Sequence, residues 1–188
     1  MQDSPVLEVL SQRVSCGKLT EPGPSPEQLL QIKRAALRAA DHRLLRPWRF
    51  LVVEGDARYR LGELFVEAET RRKAELEDKQ RDKILAKPLR APTLIVAVAR
   101  CRDDPKVPEV EQLLSAGAAV QNMLNAAFAL GVGAMWRTGG FAYDDHVRAG
   151  LGLGESDRIV GFLYLGTPAT ALKPALDIDP DDYFSTWP

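Results

Sequence analysis

The chain has 188 residues, a formal net charge of −1, and 45% hydrophobic against 27% charged residues. That balance fits one soluble domain, residues 1–188, with a real core, and it leaves no basic footprint for nucleic acid. Cys16 and Cys101 are too few for a disulfide scaffold or a zinc cluster, which points to a reducing cytoplasm; no run of 18 apolar residues predicts a membrane span, and no signal peptide is visible.

In chain order, Val6, Leu7, Val9 and Leu10 have helical spacing and predict a short first helix. "TEPGPSP" breaks the chain, and Ser25, Pro26 and Gln28 then form a helix start with a capping box. That helix is expected to run to about Ala40, before "DHRLLRP". "WRFLVVE" reads as a buried strand ended by Gly55. From Ala57 to Lys87 the chain reads as helical and increasingly charged, ended by Pro88 and Pro92. Its mixed charges fit either a solvated face or a mobile cover over a site. "TLIVAVAR" is a second buried strand.

"EQLLSAGAAVQNMLNAAFALG" is a helix that is apolar or small almost all round, so burial against a second subunit is expected as well. "GAMW" is a short strand, "YDDHVRAGLG" a short helix, "GLGLGES" a turn and "DRIVGFLYLG" a last strand. An extended tail with several aromatics follows, poorly suited to free solution. The expected architecture is α+β, a central mixed sheet flanked by helices, with the long buried helix at a dimer interface. Regular βαβ alternation and nucleotide-binding glycine motifs are missing, which ranks a doubly wound fold lower.

No hydrolytic motif is present, and Asp144, Asp145 and His146 are consecutive residues that cannot face one ion, so no metal site is expected. Arg13, Ser15 and Lys18 lie at the end of the first helix; they serve either the helix dipole or a phosphate clamp. Arg38 and His42 share one helical face if the second helix reaches them. "GVGAMWRTGG" sets a flat indole, a cation and flexible glycines side by side at a strand end, as a plain turn or a site for something flat and anionic would.

Together these stretches resemble the FMN-dependent nitroreductase superfamily and, within it, the compact bacterial NAD(P)H nitroreductases. The resemblance rests on "QRVSCGKLTEP", "RAADHRLLRPWRFLVVEG", "KVPEVEQLLSAGAAVQNMLNAAFALGVGAMWRTG" and "DRIVGFLYLGTP", and spans nearly the whole chain. It implies a homodimer with FMN between the subunits. Arg13, Val14 and Ser15 would hold the phosphate and ribityl chain, Arg38 and His42 would reach the flavin from the partner subunit, and Trp136, Arg137 and Thr138 would line its other side. Either Arg137 or Arg38 would be the cation that stabilises the reduced ring. No side chain need be catalytic: NAD(P)H would reduce FMN, which would then reduce a small planar acceptor such as a nitroaromatic or quinone. The alternatives are a flavin-binding protein with little turnover, or a flavin-dependent dehalogenase or dehydrogenase. Two positions depart from the family pattern. Val14 stands where a second arginine is usual, leaving Lys18 or Lys173 as further phosphate candidates, and Arg46 stands where glutamine precedes Pro-Trp.

Overall fold

The computed structural model describes residues 4–73 and 75–187. The elements run α1 (Pro5–Gln12), β1 (Leu19–Thr20), α2 (Pro26–Ala36), β2 (Trp48–Glu54), α3 (Ala57–Arg72), α4 (Asp78–Leu85), β3 (Thr93–Arg100), α5 (Glu109–Ala129), β4 (Gly133–Arg137), α6 (Asp145–Gly150) and β5 (Asp157–Pro168). The α+β expectation stands, and every anticipated strand forms. β1, two residues long, was not anticipated.

β5 is the central strand. β3 and then β2 pair along one edge, while β4 and β1 share the other. Each of these pairings is antiparallel, which corrects the mixed sheet expected from the sequence. The cause is topological. Two helices lie between β2 and β3, so the chain returns against β2, and β5 inserts between β3 and β4 running against both. Hydrophobic patterning marks a strand but carries no direction.

Alternation along β3 supplies both layers of the core. Leu94, Val96 and Val98 face α3, α4 and α6, with Phe65 and Phe162. Ile95 and Ala97 face α2 and α5, with Ile32, Met123 and Leu163. Full burial of an apolar side chain of this size contributes about 1.5–3 kcal/mol, and the two layers fix the sheet between them. A register shift opposite Ala97–Val98 bulges β5 at Val160–Gly161. Gly161 has φ +156°, and a Cβ there would run into the Trp136 indole, so the bulge is shaped around that ring.

The capping box predicted at Ser25 forms: its hydroxyl accepts from the Gln28 amide and the Gln28 side chain accepts from the Ser25 amide. The same helix ends at Ala36, short of the expected Ala40. Arg38 and His42 therefore do not share a helical face. The polar residues of α5 explain the early stop. Asn122 Nδ2 donates to Ala35 O, which also accepts from the Arg38 amide, and Ser115 Oγ donates to Ala40 O at 2.6 Å, so side chains of α5 hold the backbone on both sides of the stop. The helix expected over 57–87 is likewise two helices, α3 and α4, broken where Lys73 becomes extended; Ala74 lies outside the described residues.

α5 buries Ala116, Ala119, Val120, Met123 and Ala127 along one face, while Val110 and Leu114 remain exposed. α1 buries none of its residues and presents Val6, Leu7 and Leu10 to solvent. The segment after β5 is extended apart from one short turn at Pro180–Asp182, and its Tyr183, Phe184 and Trp187 are exposed, Trp187 by 91%. Pro188 lies outside the described residues.

Candidate functional site

The loop after α1 is fastened to the end of the sheet. The Cys16 amide donates to Ala134 O at 2.8 Å, laying residues 13–18 along β4. Arg13 begins this loop. Its Nη1 is buried and has no hydrogen-bond partner among the described residues. One other side-chain atom shares that condition, Nε of Arg137 at the end of β4. The two arginines meet the same loop, since a Cβ on Gly17 would lie 3.5 Å from Arg137 Nη2. Orphaned buried donors are rare in folded proteins because each forfeits its hydration, about 1–3 kcal/mol or more for a charged group. Val14 is half-buried beside them, and Ser15, Lys18 and Thr138 are exposed.

Arg137 also lines a cavity of about 340 Å³ between the end of β4, the turn Thr138–Phe141 and the segment Lys87–Arg90 ahead of β3. Lys87 and Arg90 bring two further cations to it, and Phe141 and Tyr164 form part of its wall. The Arg137 guanidinium lies 5.6 Å from the Tyr164 ring centroid and the Lys87 ammonium 4.5 Å from that of Phe141. Burial, followed by neighbouring Arg90, lowers the pKa of Lys87 below its ordinary 10.5, with Glu69 acting weakly the other way. Burial raises the Tyr164 phenol, against the pull of Arg137 and Arg90, so it stays protonated near neutrality. Among the described residues, none of Arg13, Lys87, Arg90 and Arg137 has a carboxylate within 4.0 Å.

The sequence did not single out Lys87 or Arg90. Their signal was present: "KPLRAP" puts two cations three apart, immediately ahead of a fully buried strand. The charged helices before it masked them as more surface charge.

Trp136 and Arg137 do not share a side. Strand alternation sends Arg137 towards Tyr164 and Trp136 to the opposite face. There its indole N–H donates to Val160 O at 3.2 Å and its ring reaches within 3.8 Å of a Cβ on Gly117. Thr138 lines the Arg137 cavity, and Trp136 does not.

Arg38 and His42 lie elsewhere, exposed on the segment between α2 and β2, and neither lines that cavity. His42 starts a short 3-10 turn, His42–Leu44, in which Arg43 and Leu44 take positive φ, 60° and 55°, and Arg46 just beyond it takes φ 51°. Each such non-glycine residue costs roughly 1–2 kcal/mol. External bonds hold the turn: Asp41 Oδ2 accepts from the Arg46 amide, Leu45 O accepts from Arg102 Nη2, and Glu111 pairs with His42 at 2.6 Å. Asp144 caps α6 by accepting from the Val147 amide, and Arg72 pairs with it at 2.8 Å. Cys101 is a buried free thiol whose pKa is raised, first by burial and then by Glu109.

The fold thus defines an antiparallel α+β protein with uncompensated cations gathered where the loop after α1 meets the end of β4. Residues 10–167 match the Nitroreductase family, and the chain belongs to it. That places it among oxidoreductases. It is 42% identical over 181 residues to the Escherichia coli (strain K12) protein named "Putative NAD(P)H nitroreductase YdjA", covering 96% of this chain and 98% of that one. It is 37% identical over 164 residues to a Haemophilus influenzae protein named "Putative NAD(P)H nitroreductase", covering 86% and 87%. Among solved structures, a nitroreductase-like family protein from Bacillus cereus superimposes with TM-score 0.82 at 23% identity, over 100% of this chain and 98% of that one. A Bacteroides fragilis nitroreductase with bound FMN superimposes with TM-score 0.75 at 23% identity, over 98% and 100%.

Proposed function

We propose that this chain is an FMN-dependent NAD(P)H oxidoreductase that reduces a small planar acceptor, such as a nitroaromatic or a quinone. The observation that carries the reading is the pair of orphaned buried donors, Arg13 Nη1 at the start of the loop after α1 and Arg137 Nε at the end of β4, which meets that loop at Gly17. The donor set fits the group. A phosphate offers the forked acceptor that Arg13 lacks, with Ser15 and Lys18 alongside, and a flat ring with negative charge at one edge suits Arg137 and Lys87. FMN in that place would take a hydride from NAD(P)H and deliver it to the acceptor in a second visit to the same space.

The chain's own residues bind and tune. Arg13 and Ser15 hold the phosphate end. Arg137 and Lys87 hold positive charge against the ring edge, which favours the reduced form. Thr138 and Gly139 offer backbone to the ring at close range. The indole of Trp136 supports this strand end from the other face of the sheet. Arg38 and His42 complete the site from the partner subunit of a homodimer. That pairing accounts for their separation from the Arg137 cavity within one chain, and for the exposed apolar faces of α1, α5 and the tail. Buried free thiols at Cys16 and Cys101 accord with a reducing cytoplasm.

Chromatography of the flavin released on denaturation, together with mixing against NADPH and NADH, tests the reading. FMN should be released, and its yellow colour should bleach with at least one donor and return when a nitroaromatic or quinone is added without oxygen. FAD as the main species, or a flavin inert to both donors, rejects it.

A further inference from the structure

The chain has two histidines, and each meets a glutamate through a different ring nitrogen. His42 uses Nδ1, 2.6 Å from Glu111 Oε2; His146 uses Nε2, 2.9 Å from Glu67 Oε2. An ionised carboxylate only accepts, so the nitrogen facing it must carry the proton. As neutral rings, His42 is therefore held as the Nδ1–H tautomer and His146 as the Nε2–H tautomer. The second is what a free imidazole prefers; the first has to be imposed.

The surroundings of His42 confine it further. Three left-handed residues follow within four positions, and Asp41 and Arg102 tie their backbone. The ring is the remaining freedom, and Glu111 fixes it. Glu111 sits in the first turn of α5, where the helix dipole already favours a carboxylate. The dipole explains an acid there but not its contact with a histidine 69 positions away in sequence. The His42 side chain remains 52% exposed, and its Nε2 has no partner among the described residues.

We propose that Glu111 is the positioning residue for His42: it holds Nδ1–H against α5 and presents Nε2 outward as a hydrogen-bond acceptor for a hydroxyl or N–H of the flavin cofactor. This rests on the reading of His42 as a flavin contact. A neutral His42 locked in this tautomer cannot donate to the ligand. It therefore selects a donor group, as a ribityl chain provides, over a carbonyl.

The test uses the full chain labelled with ¹⁵N-histidine, in buffer alkaline enough for neutral imidazole. Two resonance sets are expected, His42 as Nδ1–H and His146 as Nε2–H. Glu111→Ala should return His42 to the ordinary Nε2–H-dominated mixture and leave His146 unmoved, which also reports an intact fold. Glu111→Gln, whose amide oxygen accepts the same bond, should keep the wild-type pattern. FMN titration of the apo-protein should weaken about 3- to 10-fold in Glu111→Ala, the worth of one hydrogen bond, and be restored in Glu111→Gln. In a His42→Ala background, Glu111→Ala should have no further effect. Wild-type His42 in the Nε2–H form overturns the proposal outright. So does FMN binding that weakens in His42→Ala but not in Glu111→Ala. FMN binding indifferent to His42→Ala instead rejects the reading of His42 as a flavin contact, and the proposal falls with it whatever the tautomer.

Discussion

Two sets of cations on this chain are treated in opposite ways. Around the end of α3 and on α6, three cations have carboxylate partners: Lys73 pairs with Glu69, Arg72 with Asp144, Arg148 with Asp145. At the end of β4, Arg137, Lys87 and Arg90 converge on one cavity whose described lining has no carboxylate, and Arg13 buries a guanidinium nitrogen without a partner among the described residues. The first set neutralises itself and contributes modestly to the fold. In the second, Arg13 and Arg137 each bury a guanidinium nitrogen with no partner among the described residues, a deficit that folding alone does not relieve because desolvating unpaired charge is costly, while Arg90 stays exposed. The difference separates structural charge from charge reserved for a ligand, and it is invisible in composition: both sets are ordinary arginines and lysines.

The strongest way to break this comparison is to divide the site between chains. Arg13→Glu disables the phosphate end, and Arg38→Ala with His42→Ala disables the segment assigned to the partner. Unfolded together and refolded with FMN, about half of the dimers should be mixed, each with one intact site. About a quarter of full activity should return. No recovery, with mixed dimers confirmed by mass, would place all three residues in one site of one chain and reject the roles given to Arg38 and His42.

Lys87→Met sharpens the comparison within the unpaired set. In the empty protein the lysine's pKa is depressed, so the charged form is disfavoured there; an anionic ligand favours it and draws the proton back. FMN affinity in the wild type should therefore fall as pH rises through the lowered pKa of Lys87, below 10.5. The methionine variant should bind more weakly at neutral pH and lose this dependence. A variant that keeps the wild-type pH profile would remove Lys87 from the site.

The smallest effect belongs to the paired set. Arg72 is part-exposed and bonded to Asp144 and to Gly140 O. Arg72→Ala should lower stability by about 0.2–1 kcal/mol, as for an exposed pair, and leave FMN affinity within twofold. A large loss of affinity in flavin titration would show that the turn at Gly139–Gly140 depends on it.

Much of this arrangement was legible from residues alone. β-branched runs marked β2, β3 and β5, Ser25 and Gln28 marked the start of α2, and the glycines of residues 151–156 marked a turn. What escaped was decided by contacts distant in sequence. α2 stops where Asn122, 87 positions on, bonds the carbonyl of Ala35 in its last turn, and Ser115, 75 positions on, holds Ala40 O just beyond it. Reading Trp136 and Arg137 as one surface neglected a rule the strand itself supplied, since adjacent residues of β4 point to opposite faces. Lys87 and Arg90 escaped because charge reads alike whether it is solvated or gathered around a cavity. Arg13 was visible as a candidate, but its missing partner is a fact of packing.

The most direct measurement is thermal unfolding of Arg13→Ala, without and with saturating FMN. If the buried guanidinium awaits a phosphate, its removal leaves the apo-protein at wild-type stability or above. The stabilisation gained from FMN should then shrink by about 1.5–3 kcal/mol, the worth of a hydrogen bond to a charged group. An Arg13→Ala protein that is destabilised equally with and without FMN would contradict the account and return Arg13 to the structural set.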